Sequence, residues 1–143
     1  LIVSGGIRSG ADVAKAMAMG ADAVSIGSAA MMALNCNADL YVEDYKKLGT
    51  EPGYCHHCHT GRCPVGVATQ DPELEKRLNP IEAGKRIKNY LTTLTLELQT
   101  LARANGKSDV RNLEPEDLAA LTVEAAAMAR VPLAGTDWTP GKK

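Results

Sequence analysis

The chain has 143 residues, 45% apolar and 23% charged, with a formal net charge of −1. That is a globular composition, and its near-neutral charge gives no electrostatic footprint for nucleic acid or an anionic membrane surface. No apolar run approaches the roughly 20 residues that a membrane-spanning helix needs.

Phe is absent and aromatics make up 3%, so Leu, Ile, Val, Met and Ala must build the core. The chain begins at Leu1, inside what reads as a strand, and the expectation is a fragment of a longer protein. The start, LIVSGGIRSG, has no basic n-region and no cleavage site. With four cysteines and no export signal, a reducing, cytoplasmic compartment is expected.

In chain order, the apolar run LIVS (1–4), stopped by Gly5-Gly6, suits a strand buried on both faces of a parallel sheet. GADVAKAMAM (10–19) predicts a short helix: Val13, Ala16 and Met17 share a face, Asp12 lies in the first turn and Gly20 supplies the stop. DAVSI (22–26) is a second strand ended by Gly27-Ser28, and a short helix over 29–34 follows. Short loops between these pieces favour parallel strands with right-handed crossovers.

Residues 36–79 lose periodicity, with only a helical turn or two expected from Asp39 to Lys47. Long irregular segments are usually functional or disordered. Residues 80–105 are the clearest helix. Asn79 can cap it, Pro80 fits its first position, Gly106 ends it, and Ile87, Leu91, Leu94, Leu98 and Leu101 form its apolar stripe. A further helix is predicted over 115–128, and the tail from Pro132 reads as mostly irregular.

Two features carry chemistry. The turns SGGIRSG and IGSAA each follow a strand and precede a helix. Glycine lets backbone approach a ligand closely, and clustered N–H groups favour phosphate. A lone Gly-Gly pair can serve only a tight turn. Two such turns in consecutive βα units favour a phosphate site of the kind built after the last strands of a (β/α)8 barrel. Ser4, Gly5, Gly6, Arg8, Gly27 and Ser28 are the candidate binders.

The second feature is YCHHCHTGRCPVG (54–66), with three of the four cysteines and all three histidines. A disulfide, a zinc site, an iron–sulfur cluster and a redox thiol pair all draw on such residues. Cys55-x2-Cys58 beside His56, His57 and His59 is fair zinc spacing. Cys63-Pro64 suits a ferredoxin-like ligand, and thiolates suit iron–sulfur clusters.

The string SGGIRSGADVAKAMAMGADAVSIGSA resembles the end of flavin and nucleotide barrels such as inosine monophosphate dehydrogenase and the FMN 2-hydroxy-acid oxidases. Cys58-x4-Cys63-Pro64 followed by VGVATQDPELEKRL resembles the iron–sulfur segment of the glutamate synthase family, in particular its archaeal-type members and the large subunit of N-methylglutamate synthase. LEPEDLAALTVEAAAMARVPLAGT extends the likeness.

The resemblance implies an α/β fold: the last two βα units of an FMN-binding (β/α)8 barrel (1–35), a cysteine-rich iron–sulfur loop (36–79) and a helical C-terminal appendage (80–143). It implies FMN, and a cluster that is 3Fe–4S in the family. The family's first ligand lies five residues before its second, whereas here Cys36 lies far ahead and Cys55 is extra. Either Cys36 is the first ligand and the intervening segment loops out, or Cys55 adds a fourth thiolate and permits 4Fe–4S. The metal-ligand candidates are therefore Cys36, Cys55, Cys58 and Cys63.

The implied reaction is reductive synthesis of glutamate from 2-oxoglutarate and a nitrogen donor, ammonia or glutamine. An electron-donor protein or subunit and a glutaminase domain or subunit are the implied partners. Two readings compete: an N-methylglutamate synthase subunit, and a non-catalytic electron-transfer module. No catalytic acid or base can be named.

Overall fold

The computed structural model describes residues 1–141; the two closing lysines, expected to be irregular, lie outside them. In chain order the elements are β1 (Ile2–Ser4), α1 (Gly10–Ala18), β2 (Ala23–Ser25), α2 (Ser28–Ala33), α3 (Val42–Lys47), α4 (Pro72–Glu75), α5 (Pro80–Ala104) and α6 (Val123–Ala129), with short 3-10 turns between them. The chain divides into two compact units, one of Leu1–Ile26 with Thr93–Lys143 and one of Gly27–Thr92.

The first unit is a small mixed α/β arrangement. β1 and β2 pair in parallel with Ile2 opposite Ala23, Val3 opposite Val24 and Ser4 opposite Ser25, and α1 forms the crossover. Ser9 starts α1 with a capping box: its hydroxyl accepts from the Asp12 N–H, and Asp12 accepts from the Ser9 N–H. Val13, Ala14 and Ala18 of α1 pack with Leu98 and Ala102 of α5 and with Leu113. Burying a side chain such as Val13 or Leu98 stabilises by about 1.5–3 kcal/mol. Of the apolar stripe read along α5, Leu94, Leu98 and Leu101 belong to this core, while Leu91 stays exposed.

Two expectations need correction. The strands are not buried on both faces: Ile2 is 73% exposed, because a two-stranded sheet has a single helix to pack against. The predicted helix over 115–128 is broken. A 3-10 turn at Pro115–Asp117 gives way to extended backbone at Leu118, Ala120 bridges to Leu133, and α6 starts afresh where the Thr122 hydroxyl accepts from the Ala125 N–H. A capping side chain and a bridge satisfy the backbone groups that a continuous helix would have paired within itself.

In the second unit, Ala38, Tyr45, Cys63 and Val65 form the buried centre, with Cys36, Tyr41, Cys55, Val67 and Ala68 packed against it. The helical turns expected at 39–47 are there, as a 3-10 turn at Asp39–Tyr41 running into α3. Asp71 caps α4 by accepting from the Glu73 and Leu74 N–H groups. Among the described residues no helix is long and apolar enough to cross a membrane.

Four helices close in the same way. In α1, α2, α3 and α5 the chain turns back through Gly20, Asn35, Gly49 and Gly106, all at positive φ. The next N–H then returns to the helix, as in Cys36 to Met31 and Lys107 to Ala102. This paired closure is the Schellman motif, and Asn is the usual substitute for Gly in it.

Candidate functional site

The cysteine segment is assembled by local devices. Cys36 follows the left-handed Asn35 (φ 77) that closes α2, so its backbone is pinned to the helix end. Its carbonyl is held a second time by the Tyr45 hydroxyl, which donates at 2.6 Å. Cys55 follows a turn in which the Thr50 hydroxyl donates to the Tyr54 carbonyl at 3.1 Å. Cys58 sits in the 3-10 turn His57–Thr60, which Gly61 ends in the left-handed region.

Cys63 is 8% exposed and leads into the buried Pro64 and Val65. Gly66 follows at φ +80, and a Cβ there would lie 2.4 Å from the Leu74 carbonyl oxygen. That close approach lets the end of the cysteine segment press against the backbone of α4.

All four cysteines are free. They converge: burial raises the Cys36 thiol first, and the charges of Cys58, Cys63 and Cys55 raise it further. Tyr45, 1% exposed, is pushed up to about 12 by burial and then by Cys55, Cys63 and Cys36. The Cys36 thiol thus resists ionisation until a cation joins it, and a coordinating thiol is deprotonated outright.

His57 and His59 stack with ring centroids 6.5 Å apart, and the His57 Nδ1 is buried without a hydrogen-bond partner among the described residues. Among those residues no three His, Cys, Asp or Glu side chains close tightly enough to grip one metal ion. A multi-iron cluster takes its thiolates on separate irons and spaces them more widely than one ion does. The free thiols of Cys36, Cys55, Cys58 and Cys63 are chemically suited to such a group.

The glycine turns are equally local. Gly5 (φ 104) and Gly6 (φ 70) follow β1, and a Cβ at either would meet nothing within 4 Å. Gly27 (φ −121) precedes α2, again with nothing within 4 Å, and Ser28 is that helix's first residue. Arg8 offers its N–H to Asp12 at 3.0 Å.

Sequence reasoning missed three residues that organise the cysteine segment: Tyr45, Asp44 and Arg77. Arg77 Nη1 donates to Asp44 Oδ2 at 2.8 Å and to the Pro64 carbonyl at 2.7 Å, and its guanidinium lies 4.5 Å from the centre of the Tyr41 ring. Asp44 is held below the ordinary carboxylate range by the Lys47 ammonium and then by Arg77. The one sequence signal was the four-residue spacing of Tyr41 and Tyr45.

Residues 1–108 match the family model described as a conserved region in glutamate synthase. The chain is 63% identical over 142 residues to the glutamate synthase large subunit-like protein of Rhizobium meliloti (strain 1021), covering 99% of this chain and 32% of that protein. It is 43% identical over 113 residues to the archaeal glutamate synthase (NADPH) of Methanocaldococcus jannaschii, covering 79% and 19%. It is 35% identical over 106 residues to the glutamate synthase large subunit-like protein YerD of Bacillus subtilis (strain 168), covering 74% and 17%. The chain thus spans a third or less of the length of these relatives. No solved structure matches it.

Proposed function

Because the chain belongs to the glutamate synthase family, we propose that it is part of an FMN- and iron–sulfur-dependent glutamate synthase, an oxidoreductase that makes glutamate from 2-oxoglutarate and the nitrogen of ammonia or glutamine. In this reading residues 1–35 are the last two βα units of a (β/α)8 barrel, 36–79 the cluster segment and 80–143 a helical appendage. The parallel pairing of β1 and β2 across α1 supports the barrel reading. The names of the archaeal-type relatives support the reaction class.

The observation that carries the reading is the convergence of three free cysteines, Cys36, Cys55 and Cys63, around the buried Tyr45, with Cys58 close enough to act on Cys36. Cys36, Cys58 and Cys63 would hold the cluster, with Cys55 as a further thiolate. Ser4, Gly5, Gly6, Arg8, Gly27 and Ser28 would hold the phosphate end of FMN. When bound, the cluster supplies single electrons and the flavin supplies the hydride that reduces a 2-imino acid.

The chain's own contribution is to bind and orient. The backbone of Gly5 and Gly6 is free of any Cβ that would keep a phosphate away. The apolar packing of Val65, Val67 and Ala68 shields the buried Cys63 and partly shields Cys36 and Cys55. That burial and the hydrogen bonds around the sulfurs are the levers that set a cluster's potential.

Anaerobic purification of the whole protein, with iron, sulfide and flavin analysis and an assay of glutamate formation from 2-oxoglutarate, tests the proposal. Iron, acid-labile sulfide and FMN together, with glutamate formed, are expected. A stoichiometric zinc atom without sulfide would overturn the cluster reading. Absence of flavin would overturn the oxidoreductase reading in favour of a non-catalytic module.

A further inference from the structure

We propose that α3 is the backplate of the cysteine segment, and that Tyr45 and Arg77 are positioning residues that hold its two arms. A segment between Cys36 and Cys55 that merely looped out would carry no packing. Here it carries the most deeply buried large side chain of its unit: Tyr45, at 1% exposure. Its phenol ring fills the space among Cys36, Cys55 and Cys63, and its hydroxyl fixes the Cys36 carbonyl at 2.6 Å. That secures the first arm.

The second arm is secured from the preceding residue of the same helix. Asp44 binds Arg77, and Arg77 binds the carbonyl of Pro64, the residue directly after Cys63. The guanidinium is planar, so it serves both oxygens from one nitrogen while lying over the Tyr41 ring. Its side chain is 27% exposed and that of Asp44 30%, so the bonds are partly shielded from water. α3 therefore sets the separation of Cys36 and Cys63 from one short rigid piece. Ligands held by rigid support lose less freedom when they bind. What the thiols hold rests on the cluster reading above; the placement of the arms does not.

The test is cysteine alkylation by iodoacetamide, read by peptide mass spectrometry, on the whole protein freed of metal by a chelator. In the unsubstituted protein the exposed Cys58 is expected to react fast and the buried Cys63 slowly. Arg77→Gln is expected to speed Cys63 roughly tenfold or more, since a charged hydrogen bond on a buried arm is lost, with Cys58 unchanged. Tyr45→Phe keeps the ring and removes the hydroxyl, and is expected to speed Cys36 in the same selective way. Lys76→Gln removes the neighbouring positive charge, which pairs with the exposed Glu73, and should leave all four rates as they were.

In the metal-loaded protein, both positioning variants should also alter the electron paramagnetic resonance line shape of the cluster, a signature that mere stability would not move. Unchanged Cys63 and Cys36 rates in the two variants overturn the proposal, and so does a uniform rise at all four cysteines. If Arg77→Gln does not fold, Tyr45→Phe decides alone. If the unsubstituted protein holds neither iron nor sulfide, the cluster reading fails while the alkylation pattern still decides the positioning.

Discussion

The backbone N–H of Gly10 donates to the Glu97 carboxylate at 2.7 Å, joining the first turn of α1 to the middle of α5 across 87 positions of sequence. The bond is reachable only because Gly10 has no side chain. A Cβ there would lie 2.5 Å from the Leu94 carbonyl and 2.6 Å from the Leu98 nitrogen. Helix backbones do not yield to such overlap, so the helices would have to part and open the core of Val13 and Leu98. Gly10→Ala is expected to destabilise this unit by about 2–3 kcal/mol. Glu97→Gln, which keeps the shape but not the charge at the helix start, should cost about 1 kcal/mol. Urea unfolding of the whole protein, followed by hydrogen exchange of the α1 amides, checks both; equal protection in Gly10→Ala would refute the close-packing account.

The legible parts of the fold were those set by local chemistry. Asn79, Pro80 and Gly106 bracket α5 in the sequence as they do in space. Ser9 and Asp12 announce α1 in the same way, and the apolar strands pair in the register that a parallel crossover allows. The helix predicted over 115–128 does not run through: Pro115 and its acidic neighbours start only a 3-10 turn, and the Thr122 hydroxyl caps a new helix. In the cysteine segment the ligand candidates were legible as residue types. The residues that hold them were not, because Asp44 and Arg77 lie 33 positions apart and meet only through tertiary packing.

A pH prediction concerns Asp109. Its carboxylate is lowered to about 2 by the Arg111 guanidinium and then by the Arg111 N–H. A depressed folded value means stability that is fully present above the unfolded value of about 3.9 and is lost as pH falls towards 2. Asp109→Asn should therefore be less stable than the parent at neutral pH, and the gap should close between about pH 4 and pH 2. The pair is solvent-exposed, so the gap should be small and shrink further in high salt. Thermal melts across that pH range check it, and a gap that widens on acidification would contradict the assignment.

The two glycine turns each make a prediction for flavin. Gly6 has φ +70, a conformation that Val resists, so Gly6→Val should distort the turn and weaken FMN binding together. Gly27 has φ −121 with ψ −82, a pairing outside the regions a β-branched residue favours, although its surroundings are open. Gly27→Val should thus strain this turn as well as crowd the phosphate, and a loss of flavin affinity is expected. Fluorescence titration of the whole, folded protein measures both. Unchanged affinity in Gly27→Val would remove that turn from the phosphate site.

The last prediction sets Cys36 against Cys55. Both are half-buried and pack against Tyr45, so burial does not separate them. Backbone anchoring does. Cys36 is fixed by the closure of α2 and by the Tyr45 hydroxyl, and Cys63 by the hold of Arg77 on Pro64. Cys55 follows a turn whose side-chain support is a single exposed bond from Thr50. A ligand that is already anchored gives up less freedom on binding. Cys36→Ser is therefore expected to lose the cluster, and Cys55→Ser to keep it with a 3Fe–4S signal in the oxidised protein. Electron paramagnetic resonance and iron analysis on the two variants decide. The reverse outcome would make Cys55 the third ligand. Loss in both would make all four thiolates ligands and the cluster 4Fe–4S, because an iron that binds a fourth thiolate would then be part of what holds the other three in place.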